Sequence, residues 1–153
     1  MPEVMSVQTV LDEVGAGVSI VLPREARSAG AARRLVTAAL TGWRLTELVD
    51  PAVLVVTELV SNSVRHAAGE SIRVTVARPA QDRARVSVID FSVARPCLWA
   101  ADPDEERGRG LELVDCLADA WGVDPLPPVG KRVWADLAGP AGARAPAGSV
   151  GES

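Results

Sequence analysis

Apolar and polar residues recur with helical spacing between residues 50 and 68, in the stretch DPAVLVVTELVSNSVRHAA. At about 100° per residue, the apolar side chains gather on one arc of a helix and the polar side chains on the other. The apolar arc holds Val53, Val56, Leu59, Val60, Val64 and Ala67. The polar arc holds Thr57, Glu58, Ser61, Asn62, Arg65 and His66, and only Val55 and Ser63 fall on the wrong side. The pattern predicts an amphipathic helix.

A solvated helix surface usually carries long Lys and Glu side chains, whereas this polar arc carries short hydrogen-bonding groups, with one carboxylate and one amide a turn apart. Glu58, Asn62 and His66 are four residues apart, so they stack over successive helical turns. One explanation is a helix whose polar side faces water, and the other is a helix that lines a ligand site. The helix alone does not decide between them.

Hydrophobic periodicity divides the rest of the chain into short elements. The predicted strands cover residues 17–22, 71–78, 83–91, 121–125 and 131–137, and two further predicted helices cover residues 24–43 and 108–120. The order predicts an α/β (α+β) fold, a two-layer sandwich in which a mixed, mostly antiparallel five-stranded sheet is covered by three helices.

The strands at residues 71–78 and 83–91 form a predicted hairpin with one buried and one wet face. Its register is open at this point. The apolar residues of the first strand share a side with Val86, Val88 and Asp90, or they lie opposite to them.

Local signals mark the ends of the central helix. Asp50 is the predicted N-cap, and Pro51 follows at the first helical position, where a missing N–H costs nothing. Gly69 is predicted to close the helix in a left-handed conformation.

Three segments lack a period. Residues 1–15 are predicted to be a loose N-terminal segment, and residues 139–153 a disordered tail. Residues 92–107 are predicted to be an acidic loop, with the acids Asp102, Asp104, Glu105 and Glu106.

The composition of the chain argues against some classes of function. With 48% hydrophobic and 24% charged residues, the chain has the make-up of a globular domain. The formal net charge is −4 and the only dense basic cluster is Arg33-Arg34, which argues against nucleic-acid binding. The apolar run Val18–Leu22 is too short for a signal core or a membrane span, so we expect a cytoplasmic protein without a membrane segment.

The cysteines do not predict a metal site. Cys97 and Cys116 lack CxxC spacing, and His66 is the only histidine, so a zinc site is not expected. We expect two free thiols, buried or partly buried.

Two further features indicate a ligand. Asp90 ends a strand, and Gly108-Arg109-Gly110 is predicted to open a helix, where free backbone N–H groups and the helix dipole favour an anion such as a nucleotide phosphate. The chain has no GxxxxGK[ST] motif, and GRGLEL lacks the third small residue of GxGxxG. A P-loop and a dinucleotide fold are therefore both poorly supported.

Together these features resemble the GHKL (histidine-kinase-like) ATPases, and most closely the bacterial anti-sigma factor serine/threonine-protein kinases and their small ATP-binding relatives. ELVSNSVRHA is similar to the N box of that family, VIDFSVARP to its first glycine box and GRGLELV to its second. The resemblance covers about residues 17–138. It implies a two-layer GHKL (Bergerat) ATP-binding domain over residues 16–138, with a lid at about residues 92–110.

The resemblance also implies roles for individual residues. Asn62 would hold Mg²⁺, a hard cation that takes few protein ligands. Glu58 would be the general base, Arg65 would contact phosphate, and Asp90 would accept a hydrogen bond from the adenine amino group. The remaining cofactor-binding residues implied are Ser92, Gly108, Arg109, Gly110 and Leu111.

The chain departs from the family pattern in places. Ser92 replaces the glycine of the first box, and Pro96 closes that box. Arg132 stands where a Thr commonly helps the Asp read adenine, whereas Lys131 is expected to be solvent-exposed. His66 is expected to pack or form hydrogen bonds rather than act in catalysis. The tryptophans assigned to the core or an interface are Trp99, Trp121 and Trp134.

Two functions of different classes follow from the resemblance. The first is an ATP- and Mg²⁺-dependent serine/threonine-protein kinase that regulates a protein partner, an anti-sigma antagonist or a sigma factor, by phosphorylation or sequestration. The second is a non-catalytic, ATP-dependent binding module. A free-standing ATP hydrolase is a third, weaker option. A homodimer is also implied by the family.

Overall fold

Six strands and three helices make up the part of the chain that the structure describes. The computed structural model describes residues 7–12, 15–91, 105–128 and 130–139. The strands are β1 (Val7–Asp12), β2 (Gly15–Pro23), β3 (Ser71–Ala80), β4 (Arg83–Phe91), β5 (Ala120–Leu126) and β6 (Gly130–Ala138). The helices are α1 (Ser28–Gly42), α2 (Val49–His66) and α3 (Glu105–Leu117), with a short 3-10 helix (Thr46–Leu48) before α2.

The strands form one sheet in the order β1-β2-β3-β4-β6-β5, and every neighbouring pair is antiparallel. The predicted fold class is confirmed, but the sheet has six strands rather than five and is not mixed. The additional strand is β1, in the segment that we expected to be loose. It lies at the sheet edge, and its described side chains, Val7, Gln8 and Thr9, are exposed.

The register of the β3–β4 ladder shows which apolar residues share a side of the sheet with Asp90. In the β3–β4 ladder, Val74 lies opposite Val88 and Ile72 lies opposite Asp90. Residues that pair directly across an antiparallel ladder share a face. Asp90 is therefore on the same side of the sheet as Ile72, Val74 and Val88, all of which are buried.

That side of the sheet carries the core. Side chains of α1, α2 and α3 pack with it into one hydrophobic cluster, to which Val36, Val56 and Val114 contribute from the three helices. Helix α2 is central, because it contacts α1, α3 and β4. The arrangement is the two-layer sandwich that the sequence predicts.

Polar side chains line the other face of the sheet. Arg85 donates to both carboxylate oxygens of Asp136, at 2.6 and 3.0 Å. Its guanidinium carbon also lies 4.2 Å from the ring centroid of Trp134, a cation–π contact. Half-buried Trp134 therefore packs on this outer face, whereas Trp121 packs against the core.

Several predicted boundaries shift. Helix α1 begins at Ser28 rather than residue 24, because the chain first forms a turn in which the Ser28 N–H donates to the carbonyl of Glu25 at 2.9 Å. The N-cap of α2 is Leu48, whose helical dihedrals continue the 3-10 helix, so Asp50 and Pro51 lie inside the first turn.

Gly69 has the predicted positive φ of 91°, but it does not cap the helix. The C-cap is Ala67, which is extended. Gly69 turns the chain between α2 and β3 instead.

No described helix is long and apolar enough to cross a membrane. Residues 92–104 and 140–153 lie outside the described residues, and with them the predicted acidic loop up to Asp104, most of the lid, Ser92, Cys97 and nearly all of the predicted tail. Of the two cysteines, Cys116 is described, and it is exposed rather than buried.

Candidate functional site

Helix α2 supplies the side chains of the candidate site, and its buried arc differs from the predicted one. The buried residues are Ala52, Val55, Val56, Leu59, Val60, Asn62 and Ser63. Val55 and Ser63, which fall outside the predicted apolar arc, both belong to this buried arc, while Val53 and Val64 are only half-buried. The arc is rotated because α2 packs on two helices as well as on the sheet, so that three neighbours rather than hydropathy alone decide which side is covered.

One flank of α2 faces α1. The Nη1 atom of Arg33 in α1 lies 3.4 Å from the Thr57 hydroxyl oxygen. Val53, one turn before Thr57, lines a cavity of about 850 Å³ together with residues of α1. Helix α1 packs on β2 and β3, α2 on β4 and β6, and α3 on β5, so α2 lies between the other two helices and its opposite flank faces α3.

Glu58 and Asn62 lie on that opposite flank, one turn apart. Asn62 is buried, with 6% of its surface exposed, and Glu58 is half-buried. Within the described residues Glu58 forms no ion pair, so its carboxylate is not committed to a structural contact there. Arg65 is exposed and His66 is half-buried. A partly sheltered carboxylate beside a buried amide is unlike an ordinary solvated helix surface.

Asp90 reaches the same layer from the sheet. It is 1% exposed, near the end of β4, on the helix-covered side. Its Oδ2 atom accepts a hydrogen bond from Lys131 Nζ at 2.8 Å. Its Oδ1 atom is buried and has no hydrogen-bond partner among the described residues. An unsatisfied buried carboxylate oxygen needs an explanation, and a ligand that donates to it is one.

Lys131 was expected to be exposed, and this prediction is wrong. Only 7% of Lys131 is exposed, and it pairs with Asp90 directly across the β4–β6 ladder. Arg132, which we had aligned with the adenine-reading Thr, lies opposite Ile89 on the other side of the sheet. The sequence contained evidence for this burial. Lys131 and Val133 are two residues apart along β6, so their side chains lie on the same side of the sheet, and Val133 is in the core.

The glycines of GRGLEL do not open α3. The helix begins at Glu105, so Gly108 and Gly110 lie within its first two turns. In an α-helix that begins at residue 105, every backbone N–H from Gly108 onward has an intrahelical acceptor. The backbone N–H of Gly110 is therefore not available as a helix-start donor. Leu111 is half-buried and packs against the core.

Two cavities in the described residues lie away from this arrangement. The larger, of about 850 Å³, follows α1 and contains Arg33 and Arg34. The other, of about 450 Å³, lies between α1 and the β1–β2 edge and is mostly aliphatic. Neither is lined by a carboxylate or an amide, so neither matches the chemistry of Glu58, Asn62 and Asp90.

Comparison with known families identifies the fold. The sequence profile of the histidine kinase-like ATPase domain matches residues 22–136, which is most of the chain. The chain belongs to this family. The search of curated proteins found no match.

A histidine kinase-like ATPase domain binds ATP, and α2, β4 and α3 of this chain all lie inside the matched range. In a domain of this family, the buried Asn62 amide and the free Oδ1 of Asp90 fit a ligand that brings a metal ion at one end and a hydrogen-bond donor at the other. Among the described residues no group of three His, Cys, Asp or Glu side chains forms a metal cluster. A metal here would rely on Asn62 and on oxygens that the nucleotide and water supply.

Proposed function

We propose that this chain is an ATP- and Mg²⁺-binding serine/threonine-protein kinase of the anti-sigma-factor type, which regulates a protein partner by phosphorylation or sequestration. One observation carries the proposal: the half-buried carboxylate of Glu58 and the buried amide of Asn62 lie one turn apart, on the flank of α2 that faces α3. Within a histidine kinase-like ATPase domain, this pair provides a base and a metal ligand beside each other.

Each side chain has a role in the proposal. The Asn62 side-chain oxygen would hold Mg²⁺, which when bound neutralises charge on the phosphates. Glu58 would accept the proton of the attacking hydroxyl, since its carboxylate is free of ion pairs in the described residues. Arg65 is exposed and available to a phosphate, and Asp90 Oδ1 would accept from the adenine amino group.

The second glycine motif has a smaller role than the resemblance implied. In a helix that begins at Glu105, the backbone N–H groups of Gly108 and Gly110 both have intrahelical acceptors, so neither is proposed as a phosphate donor. Arg109 would add positive charge nearby.

Transfer of labelled γ-phosphate from ATP to anti-sigma-antagonist-type proteins tests the proposal. We expect one partner to be labelled on Ser or Thr, and Glu58→Gln to lower the transfer rate about 10²- to 10⁴-fold. The affinity for ATP should change less than threefold, because Glu58 would act on the acceptor hydroxyl. The matched control is Glu70→Gln, an exposed carboxylate outside α2, which should leave the rate unchanged.

The same experiment separates the two functional classes. Normal ATP binding without transfer to any partner, together with partner binding that responds to ATP in both the wild type and Glu58→Gln, would contradict the kinase function and support a binding module. The proposal includes a homodimer, for which sedimentation equilibrium should give about twice the mass of the 16.0 kDa chain.

A further inference from the structure

Asp90 and Lys131 form the most deeply buried ion pair among the described residues. Their side chains are 1% and 9% exposed, and the Nζ–Oδ2 distance is 2.8 Å. The strands fix this contact, because Lys131 lies directly opposite Asp90 in the β4–β6 ladder. On the other side of β4, Asp90 lies opposite Ile72, which is fully buried and apolar.

Stability alone does not account for such a pair. Removing two charges from water costs about as much as their attraction returns, and apolar replacements of similar volume are often as stable. The surroundings are those of the hydrophobic core, where Ile72 and Val88 are the neighbours in the ladder and along the strand. A buried pair in this setting suggests a functional use for its geometry.

The pair determines what Asp90 presents to a ligand. A carboxylate whose Oδ2 is held by an ammonium group in a charge-assisted hydrogen bond does not rotate freely. Its Oδ1 remains buried and without a partner in the described part of the chain. An ionised carboxylate only accepts hydrogen bonds, so this atom can be satisfied by a donor and not by another acceptor.

We propose that Lys131 is a positioning residue for base specificity: it holds Asp90 so that Oδ1 admits purines with an exocyclic 6-amino group and rejects those with a 6-carbonyl group. The proposal rests on the ATP-binding function proposed above. ATP presents an amino group to Oδ1, which can donate a hydrogen bond to it. Inosine triphosphate presents a carbonyl oxygen at the same position, and two acceptors cannot form a hydrogen bond with each other. Leaving both acceptors unsatisfied in a buried site is costly.

Replacing Lys131 should therefore weaken discrimination. In Lys131→Met, the buried carboxylate has no counter-charge, so it would recruit water or a proton. The water or the proton would give the site a hydrogen-bond donor, which the carbonyl group of a base could accept from. Lys131→Arg keeps a positive donor beside Asp90, so it should keep discrimination.

The test is calorimetric titration of the full chain with ATP and with inosine triphosphate. For the wild type we expect a Kd ratio of at least tenfold in favour of ATP, and for Lys131→Met a ratio at least threefold smaller. Lys131→Arg should stay within threefold of the wild-type ratio. The control Arg132→Met removes the next side chain, which points to the other face of the sheet, and should leave the ratio unchanged. Lys131→Leu replaces Lys131→Met if the latter does not fold.

The ratio separates positioning from a structural role, because loosened packing lowers both affinities together. A change of less than threefold in Lys131→Met and Lys131→Leu would overturn the inference and leave the proposed function intact. A wild-type ratio below tenfold would overturn the inference together with the adenine-reading role proposed for Asp90. A folded wild-type chain that binds neither nucleotide would overturn the proposed function itself.

Discussion

The guanidinium group of Arg24 donates from Nη1 to the main-chain carbonyl oxygen of Val64 at 2.7 Å. Its Nε also donates to the carbonyl oxygen of Gly69 at 2.8 Å. Helix α2 ends at His66, so the Val64 carbonyl is one of the four at the helix end without an intrahelical donor. Arg24 thus fixes the end of the helix that carries Asn62, and places positive charge where the helix dipole favours it.

Replacing Arg24 should loosen the C-terminal end of α2. We expect Arg24→Ala to lower the free energy of unfolding by about 2 kcal/mol, because the hydrogen bonds from its charged side chain to the carbonyl oxygens of Ser63, Val64 and Gly69 are lost. Urea denaturation monitored by tryptophan fluorescence measures the change. Arg27→Ala is the control, since the Arg27 side chain is 81% exposed and, among the described residues, pairs only with the exposed Glu25. Equal effects of the two variants would contradict this role.

Asn62 should control the metal-dependent part of nucleotide binding. We expect Asn62→Ala to weaken ATP binding in Mg²⁺ at least tenfold, a loss of about 1.4 kcal/mol, and to change it less than threefold in EDTA. Calorimetry under both conditions gives the two affinities. Ser61→Ala changes the adjacent, half-buried side chain on the outer side of α2 and should affect neither. An equal loss with and without Mg²⁺ would argue against metal ligation by Asn62.

Gly69 should not tolerate a side chain. Its φ of 91° is strained for other residues, and an added Cβ would lie 2.8 Å from the carbonyl oxygen of Phe91. Gly69→Ala is therefore expected to destabilise the protein by about 2 kcal/mol. Gly42→Ala provides the contrast, because Gly42 is helical and has no atom within 4 Å of an added Cβ. Gly42→Ala should leave the free energy of unfolding unchanged or raise it by up to about 1 kcal/mol. An equal loss of stability in Gly69→Ala and Gly42→Ala would contradict the prediction.

The rotated face of α2 can be tested with two valines. Val55 is fully buried, whereas Val64 is half-buried, although the sequence periodicity favours Val64. We expect Val55→Ala to cost about 2 kcal/mol in the free energy of unfolding and Val64→Ala less than about 1 kcal/mol. Chemical denaturation gives both values. A larger loss of stability in Val64→Ala than in Val55→Ala would contradict the rotated face and support the orientation of α2 that hydropathy predicts.

Features that depend on nearby residues were predictable from the sequence. Alternation predicted strands at 71–78 and 83–91, and the structure has β3 at Ser71–Ala80 and β4 at Arg83–Phe91. The GHKL resemblance and the two-layer fold also follow from local motifs, and the family profile supports both. Strand β1 was missed because its sequence, VQTVLD, does not alternate apolar and polar residues.

Features that depend on tertiary contacts were not predictable in this way. The rotation of α2 results from its packing on α1 and α3, which α2 does not encode by itself. Alternation along β6 places Lys131 on the core side with Val133, but its ion pair with Asp90 follows only from the β4–β6 register. A lone lysine at the start of a strand gives no sign of burial until the carboxylate that pairs with it is known.

The central claim is that Asn62 of α2 and Asp90 of β4 belong to a site for ATP, and calorimetric titration of the full chain with ATP and GTP in Mg²⁺ tests it most directly. We predict one ATP per chain and GTP binding at least tenfold weaker, since guanine has no 6-amino group to donate to Oδ1 of Asp90. Heats equal to dilution for both nucleotides, or equal affinity for ATP and GTP, would contradict the claim.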